Sequence, residues 1–127
     1  MAEAAIRNLA PQEGEEPWLQ WVLRVDSESN PSKQDEIFRE ALDALPKNVE
    51  LIGRYADFLW RVRNAYDRAE TLYKRALKVK PDGAAGLVDY ASFLFATGRE
   101  YDGAQMSDRA EPLIKNSERL IHADNRR

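Results

Sequence analysis

Residues 66–81 read YDRAETLYKRALKVKP, and this stretch decides the fold. Its apolar residues recur three or four positions apart, the spacing that lines one face of an α-helix, and its final proline cannot continue a helix. Residues 31–46 read PSKQDEIFREALDALP and show the same pattern 35 positions earlier. The period predicts repeated helix pairs, each of which needs a neighbour to bury its apolar face. Matching residues at this separation are Phe38 and Tyr73, Ala41 and Ala76, Pro46 and Pro81, Tyr55 and Tyr90, Phe58 and Phe93, and Tyr66 and Tyr101.

The composition is that of a globular protein with a charged surface. The chain has 127 residues, of which 43% are hydrophobic and 32% are charged, and its formal net charge is -3. No apolar run approaches the roughly 20 residues of a membrane helix, and the first residues lack the pattern of a secretory signal. The absence of cysteine fits a reducing compartment. We therefore expect a soluble intracellular protein, located in the cytoplasm, with no membrane partner.

Breaks in the apolar pattern set the expected divisions of the chain. Residues 11–17 read PQEGEEP, a composition typical of a flexible linker, and a short helix is expected just before it over residues 1–10. The predicted divisions are a flexible N-terminal segment and linker over 1–17, a helical repeat domain over 18–122 with units of about 18–47, 48–82 and 83–116 and a C-terminal helical extension, and a frayed tail over 123–127.

Several polar residues are predicted to begin or end helices. Ser32 with Asp35 three residues later is similar to a capping box, and Asn48 and Asp82 are expected N-caps of the next two first helices. Gly98 is expected to end a helix, since glycine is common just past a C-terminus. Pairs four residues apart with the acid first favour helical ion pairs, and they are Glu50 with Arg54 and Asp57 with Arg61.

The last segment carries an apolar stripe that continues past Pro112. An interior proline removes one backbone hydrogen bond and clashes with the preceding turn, so we expect a kink at Pro112 or a new helix that begins there. The stripe includes Leu113, Ile114, Leu120 and Ile121. It either folds back as a capping helix over the last repeat or stays exposed and forms a homodimer through the C-terminal helix.

The helix over residues 66–81 resembles the second helix of the tetratricopeptide repeat family. Ala69, Tyr73, Ala76 and Pro81 match that family's alanine, aromatic, small residue and closing proline in register. Tyr55-Ala56 and Tyr90-Ala91 match its large-small pair in the first helix. The resemblance covers roughly residues 18–115 and implies an all-α fold: a short right-handed superhelical array of about three antiparallel helix pairs with a C-terminal capping helix.

The outer units depart from the family pattern. In the first unit Gln34 takes the place of the expected alanine, and in the third Asp108 and Asn116 take the places of the aromatic and the proline. Terminal repeats are often atypical, since they face solvent on one side. The period of 35 and the residues Trp21 and Tyr55 are also similar to the half-TPR repeats of RNA-processing scaffolds.

The resemblance implies a concave groove, lined by the first helix of each pair, that binds an extended peptide or a helix from a protein partner. Trp60 either lines this groove or packs in the core, because it also continues the core face of Ile52 and Ala56. The same two roles stay open for Phe95. The expected groove residues are Trp18, Val22, Gly53, Asp57, Trp60, Arg61, Val88, Ser92 and Phe95.

Some members of the family hold the acidic C-terminal tail of a chaperone with a clamp of Lys, Asn and Arg. Here none of the matching positions has the clamp residue, and Asp89 would repel a carboxylate. We expect no binding of such tails through that clamp. The matching positions are Trp18, Val22, Arg54, Ala85 and Asp89.

Catalytic chemistry has little support in the sequence. His122 is the only histidine and lies near the chain end, and no Cys/His cluster offers a metal site. Gly83-Ala-Ala-Gly86 lacks the spacing and lysine of a phosphate loop. Lys and Arg form no basic stripe, so direct nucleic acid binding is not expected either. We therefore expect no enzyme activity, cofactor or metal.

Two classes of function fit the sequence best. The first is a protein-binding adaptor that uses the groove. The second is a structural module that self-associates or joins a larger complex, such as an RNA-processing assembly, through its terminal repeats. A third, with less support, is an accessory protein whose partner carries out a reaction.

Overall fold

A computed structural model describes residues 17–125 and the side chains of residues 17–117. The helix expected over residues 1–10, the linker before Pro17 and the side chains of Leu120, Ile121 and His122 lie outside the described residues. The described part of the chain forms six α-helices and no strand, which confirms the all-α prediction. The helices are α1 Pro17–Asp26, α2 Pro31–Ala44, α3 Val49–Arg61, α4 Tyr66–Val79, α5 Ala84–Ala96 and α6 Glu100–Asn125.

The helices pack as consecutive pairs: α1 with α2, α3 with α4, and α5 with α6. Helix α3 also contacts α1 and α5, so it lies at the centre of the packing. Ala56 on α3 and Ala69 on α4 are both 0% exposed, because small side chains let two helices approach closely. Burying each enclosed leucine or isoleucine stabilises the fold by about 1.5–3 kcal/mol. The largest fully buried side chains are Tyr73, Leu51, Ile52, Leu59, Leu87 and Leu94.

The start of α2 differs from the predicted one. The side chain of Asn30 accepts hydrogen bonds from the backbone amides of Ser32 at 2.9 Å and Lys33 at 3.4 Å, and Pro31 occupies the first helical position. The predicted capping box of Ser32 and Asp35 is wrong, because Asn30 already supplies the acceptor. Asp35 instead points into the protein and is 7% exposed.

Two of the other predicted helix ends are confirmed and one is wrong. Asn48 caps α3, where its side chain accepts a hydrogen bond from the amide of Leu51 at 3.0 Å. Gly98 follows α5 with a φ of 82°, a left-handed conformation that glycine adopts without a Cβ clash. Asp82 does not cap α5: Gly83 occupies the cap position, and no side chain makes a cap hydrogen bond there.

Helix α6 runs without a break through Pro112, so a new helix beginning at that residue is ruled out. Its first half packs on α5, where Ala110 is 1% exposed and Met106 packs against the core. Farther along, Leu113 is half-buried and Ile114 is 41% exposed. None of the described helices combines the length and the apolar composition that crossing a membrane requires.

The period of 35 reappears in the geometry of two aromatic triplets. The first triplet is Phe38, Tyr55 and Phe58, and the second is Tyr73, Tyr90 and Phe93. In both triplets the first and third ring centroids are 5.3 Å apart and the second and third are 6.3 Å apart. The first and second rings stack at 5.0 Å in one triplet and 5.7 Å in the other. Each triplet joins the second helix of one pair to the first helix of the next.

A hydrogen bond beside each triplet follows the same period. The hydroxyl of Tyr55 donates to Asp35 and that of Tyr90 donates to Glu70, both at 2.7 Å. Arg39 approaches Asp35 at 2.8 Å, and Arg99 pairs with Glu70. Burial alone would raise the pKa of Glu70, but the hydrogen bonds from Tyr90 and Arg99 outweigh it and lower that pKa. The two junctions between helix pairs therefore share an apolar contact and a polar one.

Candidate binding cleft

A cleft of about 450 Å³ opens between α3, α4 and α5. Trp18 from α1 forms one edge of it, and the N-terminal turns of α5 form the opposite edge. The size is within the range of pockets that hold a ligand or part of a peptide. Its lining consists of Trp18, Val49, Glu50, Gly53, Arg54, Asp57, Tyr73, Ala76, Lys80, Gly83, Ala84, Ala85, Gly86 and Asp89.

Small residues on the facing helices leave this space open. Gly53 on α3 has no side chain, and a Cβ built at this position would lie 3.5 Å from Oδ2 of Asp89 on α5. Ala76 on α4 and Ala85 on α5 add only small side chains to the walls, and Gly86 on α5 adds none. A Cβ at position 53 would therefore make an ordinary contact with Asp89, and a longer side chain would project into the cleft beside it.

A hydrogen-bonded chain fixes the polar side chains of the cleft. The hydroxyl of Tyr73 donates a short hydrogen bond to Oδ1 of Asp57 and accepts one from Nε1 of Trp60 at 2.7 Å. Burial is the main cause that raises the pKa of Tyr73, and the hydrogen bond to Asp57 and that residue's charge raise it further. The phenol thus stays protonated and holds Asp57 in one orientation.

Asp89 is the second half-buried carboxylate of the cleft, whereas Glu50 is exposed. Within residues 17–117 no group donates a hydrogen bond to Asp89. Burial raises its pKa most, and the nearby charge of Asp57 raises it further, whereas Arg61 and Arg54 act in the opposite direction. Of the two half-buried carboxylates of the cleft, Asp57 is therefore bound by protein groups and Asp89 is not.

The arginines of α3 lie over tryptophan rings. The guanidinium of Arg54 is 5.5 Å from the ring centre of Trp18, and that of Arg61 is 4.5 Å from the ring centre of Trp60. Such contacts contribute about 0.5–1 kcal/mol when they are exposed. In the described part of the chain neither predicted ion pair, Glu50 with Arg54 or Asp57 with Arg61, is formed.

A side depression of about 280 Å³ adjoins the cleft between α1, α2 and α3, and the two share Arg54 and Asp57. Val22 and Arg61 line the side depression. Together the two spaces form a continuous surface that includes residues of α1, α3 and α5, the first helices of the three pairs. The predicted groove residues on this surface are Trp18, Val22, Gly53, Asp57 and Arg61.

The other predicted groove residues lie elsewhere. Trp60 is half-buried and packs edge-on against Phe93 at 5.7 Å, so its ring contacts the core. Val88, Ser92 and Phe95 line an exposed face of α5. The ring of Phe95 rests against the backbone of Gly103, where a Cβ would approach it to 3.2 Å.

Sequence reasoning did not include Tyr73 and Asp89 among the groove residues. Tyr73 matches the packing aromatic of its repeat, and its hydroxyl reaches the cleft only through the hydrogen bond to Asp57. The sequence did contain a signal for Asp89. This residue lies 35 residues after Arg54, so the charge at this repeated position changes from positive to negative. Within the residues that the structure describes, no three His, Asp or Glu side chains are arranged to hold a metal ion.

No protein-family model matches this sequence, and no curated protein matches it either. The function is therefore inferred from the residues of the cleft and their contacts.

Proposed function

We propose that this protein is a non-enzymatic adaptor of the tetratricopeptide type, whose helix pairs form a short right-handed array and whose cleft binds a segment of a protein partner. The observation that carries the proposal is the open cleft with Asp57 and Tyr73 held in place by hydrogen bonds. Polar groups that are already oriented lose little entropy when a partner binds, which favours recognition.

The continuous surface formed by the cleft and the side depression supports an extended occupant. Trp18 at the edge of the cleft supplies an aromatic anchor, a residue type enriched at the energetic centres of interfaces. Val22 in the side depression adds an apolar contact farther along. Asp89 makes an acidic chaperone tail an unfavourable partner, because the two negative charges would repel each other.

A blocking substitution tests this proposal. Gly53→Leu places a side chain inside the cleft, whereas Val88→Leu, 35 residues later and on an exposed face, serves as the matched control. Peptides selected from a random displayed library with the wild-type protein should lose binding to Gly53→Leu and keep it with Val88→Leu. Circular dichroism melts establish that both variants fold. Peptides that bind Gly53→Leu as well as wild type contradict the proposal.

Self-association is a second candidate function, favoured by apolar exposure on the last helix pair. Val88 is 40% exposed, Phe95 45% and Ile114 41%. Sedimentation equilibrium tests this candidate directly. A dimer that becomes a stable monomer with Phe95→Asp, or after truncation behind Glu111, supports an assembly role, and a monomer at all concentrations rejects it.

A further inference from the structure

The acids that are buried or half-buried between helices differ in how their charges are bound. Asp35, Asp57 and Glu70 each accept a hydrogen bond from a tyrosine hydroxyl. Asp89 is half-buried in the cleft, yet it accepts no hydrogen bond from residues 17–117. In the described part of the chain no fully buried side-chain oxygen lacks a partner, so the oxygens of Asp89 reach solvent through the cleft.

The surroundings of Asp89 favour a cation. Burial removes part of the water that would solvate its charge, and Asp57 adds a second negative charge nearby. Arg54 and Arg61 reduce the negative potential, but each guanidinium lies over a tryptophan ring and neither forms an ion pair with Asp89 in the described structure. A positively charged group with several N–H donors would supply both the charge and the hydrogen bonds that Asp89 lacks.

The shape of the cleft suits a long side chain with a charged end. Gly53 leaves space between α3 and α5 beside Asp89, and Ala85 adds only a small side chain to the same cleft. Trp18 lines the same space and can pack against the aliphatic stem of such a side chain. Lysine and arginine combine such a stem with a cationic end.

We propose that the cleft recognises a partner segment by one lysine or arginine side chain, whose cation binds Asp89 beside Asp57. This inference rests on the peptide-binding function proposed above and specifies the chemistry of the partner. A neutral side chain in the same place would leave the charge of Asp89 uncompensated, and an acidic side chain would add repulsion, so the cleft discriminates by charge.

The test uses the full chain and peptides selected from a random displayed library. Peptides selected with the wild-type protein should share a lysine or arginine at one position. Replacing that residue by glutamine in a synthetic peptide should weaken binding measured by fluorescence anisotropy by about tenfold or more, as expected for the loss of a charge-assisted contact. Asp89→Asn should weaken binding of the unmodified peptide to a similar extent. Asp108→Asn, which removes an equal charge from an exposed position on α6, should not.

A double-mutant cycle identifies the contact itself. Once Asp89 is asparagine, the glutamine substitution in the peptide should have little further effect, because its partner is already absent. The peptide substitution alone keeps the test valid if Asp89→Asn fails to fold.

The two proposals fail in different ways. Selected peptides that Gly53→Leu excludes, but that share no basic residue or bind Asp89→Asn as tightly as wild type, overturn the charge recognition and leave the binding function intact. Peptides that bind regardless of Gly53→Leu, or a selection that yields none, overturn the binding function and the charge recognition with it.

Discussion

Tyr55→Phe removes a single oxygen from the junction between the first and second helix pairs. The hydroxyl of Tyr55 donates a 2.7 Å hydrogen bond to Asp35, which is 7% exposed. A hydrogen bond to a charged group contributes about 1.5–3 kcal/mol, and Arg39 at 2.8 Å continues to neutralise the carboxylate after the substitution. The free energy of unfolding should therefore fall by about 1.5–3 kcal/mol, out of the roughly 5–15 kcal/mol typical of a domain.

Tyr90→Phe is the equivalent substitution at the second junction, and the structure predicts which of the two variants loses more stability. Tyr90 donates to Glu70, whose side chain is 19% exposed against 9% for Asp35, so water can replace more of the lost hydrogen bond. Tyr90→Phe should therefore lower the free energy of unfolding by less than Tyr55→Phe does. Tyr101→Phe is the control, because Tyr101 is 76% exposed, and it should change stability little.

Urea denaturation followed by circular dichroism measures all three variants at one pH. The linear dependence of the unfolding free energy on urea gives the loss for each substitution. A loss for Tyr55→Phe no larger than that for Tyr101→Phe would refute the reasoning, as would a larger loss for Tyr90→Phe than for Tyr55→Phe.

The remaining predictions concern pH and two helix ends. Burial is the main cause that raises the pKa of Tyr55, Tyr73 and Tyr90 above the ordinary value of 10.0, so the unfolded chain releases these protons first. Their contribution to stability is complete below pH 10.0 and is lost above it by up to about 1.4 kcal/mol per pH unit for each tyrosine, which urea midpoints at increasing pH would reveal. A midpoint that stays constant above that pH would contradict this. Gly98→Ala should lower the unfolding free energy by about 1 kcal/mol, since its φ of 82° is unfavourable for alanine, and a melting temperature equal to that of wild type would argue against it. Asn48→Ala should cost about 0.5–2 kcal/mol in urea denaturation, because the amide of the residue at position 51 loses its side-chain acceptor; an unchanged midpoint would show that water replaces the cap.

The helices could be predicted from the sequence because their signals are local. Apolar spacing defines a helix face, and Asn48 and Gly98 mark helix ends through their own backbone and side-chain chemistry. The similar side chains that lie 35 residues apart include all six members of the two aromatic triplets. In each of these cases the deciding residues are close together in sequence or repeat at a constant interval.

The polar contacts between helix pairs could not be predicted in the same way. Asp35 stands three residues after Ser32, which is the spacing of a capping box, and only the packing of α3 brings Tyr55 to it. Arg54 follows Glu50 by four residues, the spacing of a helical ion pair, but in the folded chain its guanidinium lies over the ring of Trp18 and forms no ion pair with Glu50. Contacts from another helix replaced the local pairing in both cases.

The residues of the candidate cleft could be predicted from the sequence only in part. Gly53 and Asp57 follow from the helical spacing of α3, which directs both residues to one face. That Asp57 has a phenol donor and Asp89 has none depends on where Tyr73 projects from α4, which no local pattern records. The unequal environment of the two acids is thus a property of the packed helices.

The hydrogen bonds between helices also determine how far the chain must search during folding. The bonds at the two tyrosine junctions each join residues 20 apart in sequence. Among the hydrogen bonds of the described part of the chain, the largest separation in sequence is 29 residues. It occurs between Arg75 and the carbonyl of Pro46 and between Arg99 and Glu70. Closing loops of this length costs modest entropy, and chains dominated by short-range contacts fold rapidly. Each helix pair can therefore form and dock on its neighbour without first bringing the two ends of the chain together.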